Sequence, residues 1–180
     1  MMSTRAEILA LLPRRGPPPR FESWADWERY MHRVIASGLV KGYTSIWWDV
    51  RAHPTFGTLE IRSPDQPTAL GSTGAFVKLL HTLCTWAADQ PPPKADAALR
   101  SIYDQNRWAA SRFGPRAKLI HPERESAAVL VPDVYAELAE RIGFNDGLDP
   151  SSCEGDRQLE LGRSDGLQAV CADLIARSIA

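Results

Sequence analysis

The segment from Ile46 to Arg62, IWWDVRAHPTFGTLEIR, constrains the fold of this chain more than any other stretch. Residues 45–51 alternate between apolar and polar side chains, and residues 57–62 do the same. An alternation with a period of two is typical of a β-strand that is buried on one face. The connector between the two runs, AHPTF, has the length of a hairpin loop and contains a proline. The segment therefore predicts a β-hairpin.

Pairing of the two strands would give the hairpin one polar and one apolar face. The charged residues of the polar face are Asp49, Arg51, Glu60 and Arg62. The apolar face, which we expect to pack on helices, consists of Ile46, Trp48, Val50, Leu59 and Ile61.

Two readings of the polar face follow from its chemistry. Carboxylates bind hard cations such as Mg²⁺, and arginines bind phosphate or carboxylate oxygens in a bidentate fashion, a combination that suits phosphoryl transfer. Alternatively, the four charges form cross-strand ion pairs on a solvated face, each worth at most about 1 kcal/mol. Periodicity alone favours the ion pairs, because charged strand faces are common.

The rest of the chain predicts helices joined by proline-rich and glycine-rich connectors. Residues 13–20 hold several prolines and a glycine, and this composition predicts an extended connector. Five helices are expected, over about 23–38, 72–88, 95–113, 132–142 and 156–179, the last with an interruption near Gly162. Residues 118–131 are expected to form a loop or short strands.

Composition excludes several classes of protein. The 180 residues fit one domain, and 21 basic against 22 acidic side chains give a net charge of -1, which offers no electrostatic basis for binding nucleic acid or an anionic membrane. Three widely spaced cysteines without a CxxC pair argue against a disulfide framework and a structural zinc site, so a cytoplasmic location is expected. No run approaches the roughly 20 apolar residues of a membrane-spanning helix.

Four ordered blocks carry a resemblance to a known family. WWDVRAHPTFGTLEIR resembles the pattern W-D-x-R-P-x-P-x-x-G-T-x-E-x-R of the carboxylate–amine ligases of glutamate–cysteine ligase family 2. LLPRRGPPPRFESWADWERY is similar to the connector and following helix of that family. NRWAASRFG (106–114) resembles its N-x-W-x-A-x-R-[YF]-G block, and GDRQ (155–158) resembles its late A-D-R-Q block.

The resemblance implies an α+β fold, a partial glutamine synthetase-like antiparallel sheet backed by about five helices. It also implies an ATP-dependent ligase that forms an amide through an acyl phosphate, with Mg²⁺ as cofactor and ATP, glutamate and an amine such as cysteine as substrates. By the same resemblance Glu60 is a metal ligand, and Arg62 and Arg51 are catalytic. Asp49, Asn106 and Arg112 are assigned to substrate or nucleotide binding, although Asp49 and Arg51 could equally pair with their neighbours.

The chain also departs from the family. Members carry a G-x-E-x-E strand and a histidine-containing strand in an N-terminal half, and nothing here matches either one. Ala52 replaces the proline of the W-D-x-R-P element, and Ser63, Pro64 and Asp65 follow the E-x-R element. We therefore expect residues 1–180 to be one domain equivalent to the C-terminal half of the ligase, inactive alone, that self-associates or binds a complementary N-terminal-half chain. The alternative is a non-catalytic remnant or interaction domain of the same fold.

Overall fold

The computed structural model describes residues 1–92, 97–121, 123–124, 128–145 and 147–178. Within these residues the chain forms seven α-helices and three small two-stranded sheets. It divides into a smaller unit, Ala6–Pro64, and a larger unit, Met1–Arg5 with Asp65–Ala180. The expected α+β class with a partial sheet is confirmed. The expectation of a single domain stays a prediction.

The smaller unit is built around helix α2 (Trp24–Ala36), which begins at the position that its sequence predicts. Ser23 is the N-cap, and its hydroxyl oxygen accepts a hydrogen bond from the backbone N–H of Asp26. Such a cap satisfies one of the backbone donors that a helix start leaves free. Helix α1 (Thr4–Ala10), which the sequence did not predict, begins in the larger unit and ends in this one.

The core of the smaller unit lies between α2 and the start of the hairpin. Met31, Ile46 and Trp48 are each at most 4% exposed. Partly buried residues surround them, namely Phe21, Trp27, Tyr30, Val34 and Tyr43. This part of the apolar face packs on a helix as expected. Leu59 departs from this expectation, because it is 60% exposed.

The hairpin itself forms as predicted, although its first strand begins later, at Val50, and extends into the expected connector as far as His53. Strands β3 (Val50–His53) and β4 (Thr58–Ile61) are antiparallel, and Arg51 lies directly opposite Glu60. Strand β2 (Trp47–Trp48), which precedes the hairpin, pairs with a different partner. Strand β2 is parallel to β1 (Arg15–Gly16), which is a short stretch of the proline-rich connector. The connector thus adds a strand that its composition did not predict.

The larger unit contains the remaining elements. Its helices are α3 (Leu70–Ala88), α4 (Leu99–Phe113), α5 (Val131–Ile142), α6 (Glu154–Ser164) and α7 (Leu167–Ser178). Strands β5 (Lys118–Ile120) and β6 (Ala128–Leu130) pair between α4 and α5, in the region expected to hold short strands. The predicted start of the helix over 95–113, Ala95, lies outside the described residues. So does the predicted end of the last helix, Ile179.

The predicted last helix is two helices, and the expected break at Gly162 is wrong. The chain stays helical through Gly162 and turns at Gly166, which has a φ of 82°. Helices α6 and α7 then pack against each other, with the Gly162 position next to Val170. A glycine inside a helix can serve such close packing, whereas a positive φ ends the helix. Together with α1, this split accounts for seven helices where five were expected.

Candidate functional site

The polar face of the hairpin brings three of its four charged side chains into direct contact. Arg51 and Arg62 both form ion pairs with the Glu60 carboxylate, one at each oxygen. Asp49 occupies the next position of the ladder, since its carbonyl accepts a hydrogen bond of 2.7 Å from the Arg62 backbone N–H. The alternation of the sequence therefore predicted this cluster.

Arg51 is the most buried member of the Arg–Glu–Arg cluster, with a side chain that is 9% exposed. Its Nε donates to Oε2 of Glu60 at 3.0 Å, and Nη2 donates to the same oxygen. Its Nη1 donates to the carbonyls of Thr44 and Ile46, at 2.9 and 3.0 Å. All three guanidinium nitrogens thus bond within the smaller unit. These hydrogen bonds make Arg51 a structural brace, which here means a side chain that connects the hairpin to the preceding helical turn, Tyr43–Ser45.

Glu60 is held as a carboxylate. Burial alone would raise the pKa of its carboxyl, but hydrogen bonds from Arg51 and Arg62 outweigh that effect and hold the pKa below its usual value. The side chain is 35% exposed, so one edge of the carboxylate faces solvent. Glu60 is therefore ionised at neutral pH and reachable by a ligand.

Arg62 differs from Arg51 in exposure. Its side chain is 26% exposed, and Nη1 donates to Oε1 of Glu60. Of the two arginines, Arg62 thus has the more exposed side chain.

Asp49 lies at the point where the strand changes partners. Its backbone N–H donates to the Gly16 carbonyl at 2.7 Å, and its own carbonyl accepts from Arg62. The residue is 5% exposed. Its backbone thus joins the connector strand β1 to β4, which is a structural role that the sequence pattern did not reveal.

The two candidates from the larger unit have different environments. The Asn106 side-chain amide donates to the Ile120 carbonyl at 2.8 Å, and its oxygen accepts from the Ile120 N–H at 2.7 Å. Asn106 therefore extends the hydrogen bonding of strand β5 as a backbone group would. Arg112 is exposed near the end of α4. Their assignment to substrate or nucleotide binding stays a prediction.

The residues of the hairpin fit Mg²⁺ only in part. Glu60 is ionised and partly exposed, and its Oε1 accepts one hydrogen bond from Arg62 whereas its Oε2 accepts two from Arg51, so Oε1 could supply one ligand. Mg²⁺ requires close to octahedral oxygen coordination. The described part of the chain contains no group of three or more His, Cys, Asp or Glu residues that could hold a metal ion. A complete magnesium site would need ligands from elsewhere, including water and phosphate oxygens.

An α+β fold with a charged hairpin occurs in several classes of protein. Comparison with known sequences identifies the class of this chain as a family of ligases. The model of glutamate-cysteine ligase family 2 (GCS2) matches residues 2–153. The chain belongs to this family, as its motifs predicted.

Individual relatives agree with this assignment. A Rubrobacter xylanophilus relative, provisionally named glutamate–cysteine ligase 2-3, is 41% identical over 119 residues, which cover 66% of this chain and 31% of the relative. A Haloferax volcanii protein named glutamate–cysteine ligase is 33% identical over 150 residues, covering 82% of this chain and 41% of the relative. The Halobacterium salinarum protein of the same name is 34% identical over 150 residues, with coverage of 81% and 41%.

The chain thus spans between 31% and 41% of the length of these relatives. Among the described residues, none of the helices has the length and apolar character needed to cross a lipid bilayer.

Proposed function

We propose that this chain is part of an ATP-dependent carboxylate–amine ligase of the glutamate–cysteine ligase type and works in a cytoplasmic setting. The supporting observation is the Arg51–Glu60–Arg62 cluster, which lies inside the segment matched by the family model. A pair of arginines around one ionised carboxylate, partly open to solvent, suits the binding of phosphate oxygens beside a cation.

The proposed reaction has two steps. An oxygen of the substrate carboxylate, the γ-carboxylate of glutamate, attacks the γ-phosphorus of ATP, and ADP leaves. The amine then attacks the acyl phosphate, and phosphate leaves with formation of the amide and loss of one proton from nitrogen. Bound Mg²⁺ would neutralise charge on the phosphate oxygens.

Each hairpin residue has a separate task in this proposal. Arg62, the more open arginine, offsets the charge that grows on the transferred phosphoryl group. Glu60 offers one carboxylate oxygen to the metal. Arg51 is occupied by the Thr44 and Ile46 carbonyls, so it holds Glu60 in place and is a positioning residue.

The second candidate function is a non-catalytic interaction domain of the same fold. It is favoured by the same contacts, because both Glu60 oxygens already accept hydrogen bonds from arginines and the described residues contain no complete metal-ligand group. In that case the cluster would serve stability alone.

We expect the purified chain to release no ADP that depends on glutamate and cysteine. One carboxylate cannot hold Mg²⁺ and ATP without further fixed ligands. A coupled assay of ADP, with both substrates present, measures this. Robust turnover by the chain alone would contradict the need for additional protein ligands.

A chimera separates the two candidate functions. In this chimera, the chain replaces the aligned part of the H. volcanii relative. Restored ADP release supports the ligase. A chimera that unfolds cooperatively and yet remains inactive supports the non-catalytic domain.

The hairpin suggests a surface for self-association or for a complementary chain. Among the described residues β4 pairs with β3 alone, and Leu59 and Phe56 are 60% and 73% exposed. An open strand edge beside exposed apolar side chains tends to recruit another strand.

We expect the mass of the wild-type chain, measured by light scattering after size exclusion, to rise across a tenfold increase in concentration. Leu59→Lys should keep it closer to the monomer mass of 20.0 kDa, because it places a charge on this surface. Leu39→Lys is the matched control, as it makes the same substitution at a leucine of the smaller unit that is 81% exposed and lies outside the hairpin. A wild-type chain that stays at 20.0 kDa throughout would refute the proposed surface.

A further inference from the structure

The first residues of the chain lie in a notch of the larger unit, between the end of α4 and the start of α6. The carbonyl of Ser111 accepts hydrogen bonds from two successive backbone N–H groups, those of Met2 at 2.8 Å and Ser3 at 3.0 Å. Ser111 is 4% exposed, so this carbonyl lies in a protected position. The contact uses main-chain atoms on both sides and does not depend on the identity of either side chain.

Two glycines leave the space that this segment fills. A Cβ atom at Gly155 would lie 2.7 Å from the Met2 carbonyl oxygen and 3.1 Å from the Met2 Cα. A Cβ at Gly114, where φ is 57°, would lie 2.7 Å from Met2 Cγ. At Gly155, only a residue without a side chain permits this approach of backbone to backbone. The wall at Gly155 therefore leaves room for the close approach of a peptide backbone.

The GDRQ block, which the candidate active site does not use, builds one wall of the notch. Gly155 approaches the Met2 backbone, and the neighbouring Asp156 carboxylate accepts from Arg116 at 2.6 Å. The next residue, Arg157, pairs with Asp173 on α7. The hydrogen bond from Arg116 holds the pKa of Asp156 below its usual value, with a smaller opposing effect of burial. The block thus fixes the start of α6 to the turn after α4 and to α7.

We propose that the notch formed by Ser111, Gly114 and Gly155 is a binding site for polypeptide main chain, with Met2–Ser3 as its occupant. The ligand is a segment that turns two adjacent N–H groups to the same side, toward the Ser111 carbonyl, and places an unbranched side chain toward Gly114. By occupying the notch, the segment ties α4 to α6 and anchors the chain just before it enters the smaller unit. This inference goes beyond the proposed ligase function and is independent of it.

The test is Gly155→Ala in the full chain, read out by cleavage of the Arg5–Ala6 bond with trypsin. The added methyl group would collide with the Met2 backbone and release the segment, so release of the peptide Met1–Arg5 should accelerate about tenfold, because cleavage follows local opening. Mass spectrometry of the released peptide gives the rate, and cleavage at more distant arginines reports any general loosening.

Gly71→Ala is the matched control, because Gly71 is likewise the second residue of a long helix, α3, and a Cβ there meets nothing within 4 Å. It should cleave at the wild-type rate. Equal rates in the wild type and both variants would overturn the proposal, as would equal acceleration in both variants.

If Gly155→Ala unfolds the whole chain, Ser3→Pro decides the question. Proline removes the Ser3 N–H that binds the Ser111 carbonyl and adds nothing to the wall of the notch. Faster release of Met1–Arg5, with unchanged cleavage elsewhere, supports the site. An unchanged rate overturns it.

Discussion

Arg51→Ala should cost the smaller unit about 1–3 kcal/mol of unfolding free energy, the penalty typical of a buried acceptor that loses its donor. The guanidinium binds Glu60 and two backbone carbonyls, and its side chain is only 9% exposed. Alanine would leave the carbonyl of Ile46, a residue that is 1% exposed, without this donor. Each unsatisfied buried acceptor carries a desolvation penalty of about 1–3 kcal/mol.

Urea unfolding followed by tryptophan fluorescence measures this change, since Trp47 and Trp48 immediately precede the hairpin. Arg29→Ala is the control: Arg29 also pairs with a carboxylate, Asp26, but its side chain is 72% exposed. Exposed pairs are worth about 0–1 kcal/mol, so this variant should unfold close to the wild type. Equal midpoints for the two variants, at equal slopes, would show that Arg51 is not a brace.

Glu60→Gln should lower the activity of an assembled ligase, such as the chimera described above, by several orders of magnitude. The amide keeps the shape of the side chain and can still accept hydrogen bonds through its one oxygen. It loses the negative charge that the proposed metal requires, and it presents a donor to one of the two arginines. Turnover should therefore fall much more than stability does.

Glu22→Gln is the matched control for this change. Glu22 is also a glutamate of the smaller unit paired with an arginine, but its side chain is 75% exposed. The ratio of ADP release rates, with thermal unfolding measured in parallel, separates charge at the site from general effects. Equal and small losses from both variants would contradict a role of Glu60 in metal binding and favour the non-catalytic domain.

Local signals in the sequence predicted the elements that depend on local chemistry. The N-cap of α2 at Ser23 and the hairpin with its polar face follow from capping and from a period of two, which act over a few residues. The family assignment was also available from the sequence, because its motifs are contiguous.

Features that depend on distant partners were missed. Pairing of the connector with β2 uses the carbonyls of Arg14 and Gly16, and a proline-rich stretch retains its carbonyls although prolines lack N–H groups. The brace formed by Arg51 ends on carbonyls of Thr44 and Ile46, which have no side-chain signature. The exposed position of Leu59 could not be read from alternation, since a period of two identifies a face but not what covers it.

The order in which the chain visits its two units gives the smaller unit the character of an insertion. The backbone leaves the larger unit after Arg5 and returns to it at Asp65, and these two side chains form an ion pair of 3.4 Å. The polypeptide between them, residues 6–64, therefore starts and ends at neighbouring points of the larger unit. Closing a loop between fixed ends costs only about 0.6 kcal/mol more for each doubling of its length. Residues 6–64 can therefore lengthen, shorten or be exchanged through evolution at small cost to the larger unit, as long as the exit and return points stay joined.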